Sequence, residues 1–339
     1  MNGKRPAVDV HTHLAPALDC DLLRAAGLPD SAARDPGLAS RVGPPALHDA
    51  AALLRWIETV RIDRAVVSAP PPYYRQELPA ALAGPWAQAL NIGLARVVTP
   101  HDALRGFAYL PLQQPAAALA EYDRLRGAAG PHPWVGWTAA ASAACRLDDP
   151  ALAPVWQRAH DDQAVILLHP GESPDPRLAP YYLANLLGNP VETGVAAAQL
   201  VFGGVLQRYP GIRFVLVHCG GVVPSVVARW QRGFDTSRPG VDPGGLAPLG
   251  AARRLWFDAL SHSRSALTAA IDVVGLKHVV LGSDWPFPMG LEDPAAATAG
   301  LSAEAREQVA RANPARLFQR VQASPQVQAS LRVRAGAHR

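Results

Sequence analysis

Cysteine, lysine and long apolar runs are all scarce in this chain of 339 residues. Its three cysteines, Cys20, Cys145 and Cys219, form no C-x-x-C pair and are odd in number, which argues against a disulfide framework and a zinc ribbon and predicts reduced thiols. The longest nearly uncharged apolar stretch, Gly194 to Leu206, contains Gln199 and falls short of the roughly 18 apolar residues of a bilayer span, so no membrane helix is expected. The first residues pass from a short polar segment directly into a strand-like one without the apolar core of a secretory signal, and the expected location is cytoplasmic. Lys4 and Lys277 are the only lysines among 32 basic residues. The arginines are spread along the chain without a run interleaved with aromatics, so the net charge of +4 gives no case for nucleic-acid binding.

What the chain has in quantity is apolar sequence, 49% of all positions, in a repeating arrangement. Short β-branched runs alternate with alanine- and leucine-rich segments, predicting strands at Ala7–Val10, Ala65–Ala69, Phe107–Leu110, Trp134–Trp137, Ala164–Leu168, Ile212–Val217, Leu255–Ala259 and His278–Leu281. Eight strands, each followed by a helix or a segment able to form one, predict an α/β fold of the (β/α)8 TIM-barrel type rather than a doubly wound sheet. The stretch 14–45 after the first strand is too long for an ordinary loop and is expected to be a small insertion over the barrel mouth. The barrel with its insertion is expected to fill residues 1–320, and the polar segment 321–339 to form a tail.

The chemistry gathers at predicted strand ends. In Asp9-Val10-His11-Thr12-His13 the two histidines share one face, because side chains alternate with period two, and both can reach one metal ion. His169 follows Val165–Leu168, His218 follows Phe214–Val217, and Asp284 follows Val279–Ser283. Each has a plain structural reading: a buried imidazole satisfied by backbone, or an aspartate that starts a turn. Five such residues at the C-terminal ends of four strands favour a common site, since those ends converge on one face of a barrel. His11, His13, His169 and Asp284 are the expected ligands of one divalent ion, with zinc favoured by the imidazole and carboxylate donors. His218 is either a further ligand or, the favoured assignment, a base acting beside the metal; with Asp284 it forms the expected catalytic pair. Two-metal barrels commonly bridge their ions with a carbamylated lysine late in strand 4, where this chain has none, so one metal is expected. His262, just past the seventh strand, and Trp285 and Phe287, beside Asp284, are candidate substrate contacts.

Beyond these positions, the chain carries Asn189-Pro190-Val191-Glu192-Thr193, His218-Cys219-Gly220-Gly221, Asp258-Ala259-Leu260-Ser261-His262 and Leu281-Gly282-Ser283-Asp284-Trp285-Pro286-Phe287-Pro288. In these motifs and their spacing it resembles the amidohydrolase superfamily, in the branch containing aminocarboxymuconate-semialdehyde decarboxylase. The resemblance implies a zinc-type metal, an activating histidine at His218, and non-oxidative decarboxylation of a small unsaturated or aromatic carboxylic acid. It also implies that Arg41 grips a substrate carboxylate and that Arg238 reaches the active site of a neighbouring subunit in a homodimer. Relatives that hydrolyse or hydrate keep a metal-dependent hydrolase or hydratase as the alternative, with a noncatalytic barrel behind it. Asn185 stands where the decarboxylase pattern has a pocket tryptophan, and Pro170-Gly171-Glu172-Ser173 replaces a Trp-Asp-Met pattern, so the substrate is expected to differ from the namesake's.

Overall fold

The β-branched runs become strands β1 (Val8–His13), β2 (Arg64–Ser68), β3 (Leu104–Tyr109), β4 (Trp134–Ala141), β5 (Val165–Pro170), β6 (Arg213–Leu216), β7 (Trp256–Asp258) and β8 (Val279–Val280). Sequential strands pair in parallel from β1 through β8. Parallel bridges from Asp9 to Leu281 and from Thr12 to Trp285 bring the last strand back beside the first. The computed structural model describes residues 5–35, 42–128, 132–141 and 144–319. It is the (β/α)8 barrel that the periodicity predicts. Arg41 and the expected tail 321–339 lie outside the described residues.

Alternation along the strands divides the core in two. Val165 and Leu167 on β5, with Val215 on β6, join a cluster with Phe107 and Phe318, whereas Ile166, Leu168, Phe214 and Leu216 pack against Trp156, Ala197 and Leu200 of the surrounding helices. His169 continues the Val165–Leu167 series; on β1, Val8 and Val10 join that same cluster, and the pairing register with β2 shifts between Asp9 and Thr12. Alternation along β5 and this irregularity in β1 bring His169 and the pair His11 and His13 to the same end of the barrel. The surrounding helices include Ala50–Thr59, Ala80–Val98, Pro115–Arg126, Ala153–Asp161, Asn189–Phe202, Val223–Asp235 and Arg264–Val274. Among the described residues, no helix is long and apolar enough to cross a membrane.

Two local details differ from the pattern read in the sequence. The helix expected over 190–209 is divided into Asn189–Phe202 and Val205–Arg208, because Gly204 turns into the left-handed region at φ 70° and breaks the hydrogen-bond run. Between β1 and Ala50–Thr59 the described residues of the insertion include the short helices Cys20–Ala25 and Asp30–Ala33. Asp19 caps the first by accepting the Leu22 N–H at 2.7 Å, and Leu22, Leu23, Leu28 and Leu47 bury themselves in a cluster with Tyr74 and Trp86.

The tightest approach between neighbouring strands sets a stability test. A Cβ added to Gly136 of β4 would lie 2.5 Å from the Val165 carbonyl oxygen and 2.9 Å from the Phe107 ring. Gly136→Ala is expected to destabilise the barrel by about 1–3 kcal/mol, the usual cost of overpacking. Urea unfolding followed by circular dichroism measures this, and an unchanged midpoint would show that β4 and β5 accommodate the methyl group without cost.

Candidate metal centre

At the C-terminal end of the barrel, four imidazoles surround one buried carboxylate. Asp284 Oδ1 lies 3.0 Å from His13 Nε2, 3.3 Å from His11 Nε2 and 3.9 Å from His169 Nε2, while Asp284 Oδ2 lies 3.6 Å from His218 Nε2. His11 and His169 each have ring centroids within 5.1–5.4 Å of both His13 and His218. The ligand atoms of His11, His169, His218 and Asp284 are all within 4.8 Å of one another. His218 thus stands as near as the expected ligands do, but on the other oxygen of Asp284.

The outer nitrogens fix how the rings are presented. His11 Nδ1 is 2.8 Å from the buried carboxylate of Asp258 and donates to it. His169 Nδ1 donates to the Pro170 carbonyl at 2.9 Å, and His13 Nδ1 pairs with Ser68 Oγ at 3.1 Å. Such outer bonds orient ligand imidazoles and leave each Nε2 facing inward. The inward Nε2 atoms of His11, His13 and His169, and Asp284 Oδ1, are buried without a properly formed hydrogen bond in the described structure. Buried polar atoms left this way are costly. They are close to one another yet not aligned as hydrogen bonds, which fits donors that share one cation. Three nitrogens and one carboxylate oxygen suit a divalent transition ion.

Asp258 is the residue whose role was missed in the sequence. Besides holding His11, it accepts the backbone N–H groups of His218, Cys219 and Leu260 at 3.1, 2.7 and 3.2 Å. This anchors a turn in which His218 and Cys219 have φ values of 54° and 56°; Asp284 has φ 60°. Non-glycine residues rarely occupy that region, and its cost of order 1–3 kcal/mol each is commonly borne at functional sites. An aspartate directly after a strand on the active face was a readable signal, but its partners are 40 and 247 residues away.

The other expected contacts are distributed unevenly. Asn185 and His262 line a cavity of about 260 Å³ that reaches His218 and Asp284. Phe287 packs edge-on to His13 at 5.3 Å and Trp285 lies 6.1 Å from Trp56; neither is part of that cavity's lining. Arg238 is exposed and donates to the Thr236 carbonyl of its own loop at 2.9 Å.

These surroundings also distribute the protons. Burial pushes His13 down and holds His169 down at about 3, leaving both neutral near pH 7. Burial opposes a charge on His11 as well, but Asp284 and Asp258 outweigh it and hold its pKa up at about 10. For Asp284, burial alone would raise the pKa, yet the His11 charge and the adjoining imidazoles hold it well below the usual carboxylate range.

The amidohydrolase family model matches residues 8–320, and the chain belongs to that family. It is 33% identical over 211 residues to the 2-amino-3-carboxymuconate-6-semialdehyde decarboxylase of Dictyostelium discoideum, a match covering 60% of this chain and 57% of that protein. The chain spans about half the length of the curated relatives it matches. Among solved structures, the apo IDCase of Metarhizium anisopliae superposes with a TM-score of 0.77 at 25% identity, covering 95% of this chain and 99% of the other. The 5-carboxyvanillate decarboxylase of Novosphingobium aromaticivorans, solved with manganese and 4-hydroxy-3-methoxy-5-nitrobenzoic acid, has the same fold at 18% identity, with a TM-score of 0.75 and coverage of 94% and 96%.

The proton distribution yields a measurable outcome. At pH 7.5 metal-free His11 is protonated and Asp284 ionised, so coordination through His11 Nε2 must expel that proton, and about one proton should be released per ion bound. Calorimetry in buffers of different ionisation enthalpy counts it. Asp258→Asn removes one of the two charges that raise His11, and should reduce the count while weakening metal affinity by about 10–100-fold. Release of no proton by the native protein at pH 7.5, with metal bound, would overturn this assignment.

Proposed function

We propose that this protein is a metal-dependent, non-oxidative decarboxylase of a small aromatic or unsaturated carboxylic acid. The observation that carries the reading is the buried convergence of His11, His13 and His169 Nε2 on Asp284 Oδ1, joined to a cavity on the His218 side. The relatives named as decarboxylases support the choice of reaction. His11, His13, His169 and Asp284 would hold one divalent ion; its donor set favours zinc, and the manganese in the Novosphingobium enzyme makes manganese the principal competitor.

When bound, the ion supplies Lewis-acid polarisation of a substrate oxygen. The chain's own residues supply the rest. Decarboxylation exchanges a carboxylate for a proton: the carbon–carbon bond breaks to release carbon dioxide, and its electron pair ends in a new carbon–hydrogen bond. That carbon needs a proton donor on the cavity side. His218 lines the cavity, its side chain is 15% exposed whereas His11 and His13 are fully buried, and it faces Asp284 Oδ2 rather than the oxygen shared by the other three imidazoles. Asp284 Oδ2, 3.6 Å from His218 Nε2, places a negative charge beside the ring that holds and moves the proton.

Carbon dioxide release from a panel of hydroxybenzoic, aminobenzoic and muconic acids tests the reaction. Product formed with incorporation of labelled water oxygen and without carbon dioxide would replace this reading with a hydratase or hydrolase. His218→Asn is expected to retain metal while turnover falls by about 10²–10⁴-fold, the scale of lost acid–base assistance. Loss of the metal in that variant would make His218 a ligand instead.

The proposal extends to a homodimer in which Arg238 enters the partner's cavity, and to a cytoplasmic location, the latter supported by the unpaired state of Cys20, Cys145 and Cys219. Arg238 is exposed on its loop and bonds no residue of its own metal cluster. After demonstrated subunit exchange, mixing inactive Asp284→Ala with inactive Arg238→Ala should restore activity, because some dimers then contain one complete site. Exchange without recovery would exclude contribution across the interface.

A further inference from the structure

The segment that leaves β2 meets the metal centre twice. Ser68, the last residue of the strand, pairs with His13 Nδ1, and Tyr74 sets its ring T-shaped against His169, with centroids 6.3 Å apart and planes at 74°. Between them Pro70, Pro71 and Pro72 restrict the backbone, and the short turn Pro71–Tyr73 delivers Tyr74. Trp86 Nε1 donates to the Tyr73 carbonyl at 2.9 Å and pins that turn to the helix Ala80–Val98. Among the described residues, Tyr74 is the one ring outside the imidazole cluster that meets His169. The His169 Nδ1 bond goes to the adjacent Pro170 carbonyl and so moves with its own strand; Tyr74 ties the imidazole to a different part of the barrel.

Tyr74 is itself held from behind. Its ring lies on that of Tyr109, the last residue of β3, with centroids 5.1 Å apart and planes within 6°. The Tyr109 hydroxyl donates to the Tyr74 carbonyl at 2.7 Å, and the Tyr74 hydroxyl is 3.3 Å from Thr138 Oγ1 on β4. Asn91 grips Tyr109 in turn, accepting its backbone N–H at 2.7 Å and donating to its carbonyl at 3.0 Å. Asn91 also donates to Glu121 at 2.7 Å, and Arg124 pairs with both oxygens of that carboxylate. Tyr74, Tyr109, Asn91 and Glu121 are all buried. An aliphatic filling would occupy the same space, whereas a satisfied polar chain specifies one orientation. Burial pushes the Tyr74 phenol's pKa up, and the Asp284 charge adds to this, so the ring stays neutral beside the centre.

We infer that Tyr74 is a positioning residue for the metal centre: held by Tyr109, it fixes the His169 imidazole in the orientation that presents Nε2 to the ion. The inference rests on the reading of the cluster as a metal site and does not depend on which reaction follows.

Cobalt(II) is the probe, because its visible absorption bands report ligand geometry. The full chain, stripped of metal, is titrated with cobalt in competition with a chelator. Tyr74→Leu should bind the ion about 3–10-fold more weakly, the scale of one lost aromatic pair, and shift the visible bands. Tyr74→Phe keeps the ring and should stay within about twofold of the native affinity, with native bands. Tyr122→Leu is the control for general loss of packing: Tyr122 is equally buried but stacks on Trp137 at 4.1 Å in the outer core. It should lower the melting temperature comparably and leave bands and affinity unchanged. Tyr109→Phe, which keeps the stack and removes only the bond to the Tyr74 carbonyl, should show the Tyr74→Leu band shift at smaller size. Native bands and affinity in folded Tyr74→Leu, an equal loss in Tyr74→Phe, or an equal change in Tyr122→Leu would each overturn the inference. If Tyr74→Leu does not fold, native bands in Tyr109→Phe overturn it. Failure of the native protein to bind cobalt would overturn the metal centre itself, and the inference with it, whereas native binding that is indifferent to Tyr74 overturns the inference alone.

Discussion

A carboxylate taken out of water at the top of a barrel has to be matched by positive charge or by donors, and the arrangement of this molecule turns on how that is done for Asp284. Its side chain is 8% exposed and has three imidazole nitrogens within 4 Å of one oxygen and a fourth near the other. In the metal-free protein only His11 among the three around Oδ1 is held protonated, so the neutral His13 and His169 turn Nε2 lone pairs toward a carboxylate oxygen. A divalent cation satisfies all of these donors at once, which no rearrangement of that proton does. The barrel makes the convergence possible: parallel strands all end on the same face, so residues far apart in sequence arrive together without long side chains.

Asp258 does comparable work one layer out. By accepting four hydrogen bonds it joins β1 through His11 to the turn after β6 through His218 and Cys219, and secures the chain leaving β7 through Leu260. The left-handed backbone at His218 is otherwise unfavourable for a residue with a Cβ. Anchoring its amide and that of Cys219 to a buried carboxylate offsets the strain and directs the imidazole toward Asp284. The same aspartate thereby couples the orientation of the His11 ring to that of the His218 ring.

The architecture and the central cluster were legible because both follow from short-range rules. Period-two alternation placed His11 and His13 on one face of β1, and the apolar runs before His169, His218 and Asp284 identified the strand ends. Less of the surroundings could be read. Asp258 was visible within Asp258-Ala259-Leu260-Ser261-His262, but its anchoring role depends on side chains and amides brought together by barrel closure. The break at Gly204 interrupts what reads as one continuous helix. Trp285 adjoins Asp284 in sequence yet packs toward Trp56, because adjacent residues after a strand diverge to opposite sides of the wall. Sequence adjacency to a ligand was therefore a poor guide to the cavity.

The same contrast separates reaction chemistry from selectivity in this fold. The metal-facing groups are fixed from below by strands and from behind by Asp258, Ser68 and the Pro170 carbonyl, so replacing any one disturbs several partners. Asn185 and Asn189 sit outside that network on a segment of short turns, where Tyr181 and Tyr182 are exposed and Leu186 forms part of the cavity. A change there alters what the cavity pairs with, while the inward presentation of the imidazoles is set by bonds it does not touch. Loop substitutions can consequently move a barrel of this kind between substituted acids without rebuilding its metal centre. The geometry of the histidines is compatible with several reactions, so the cluster by itself defines a metal-binding chemistry and not a substrate.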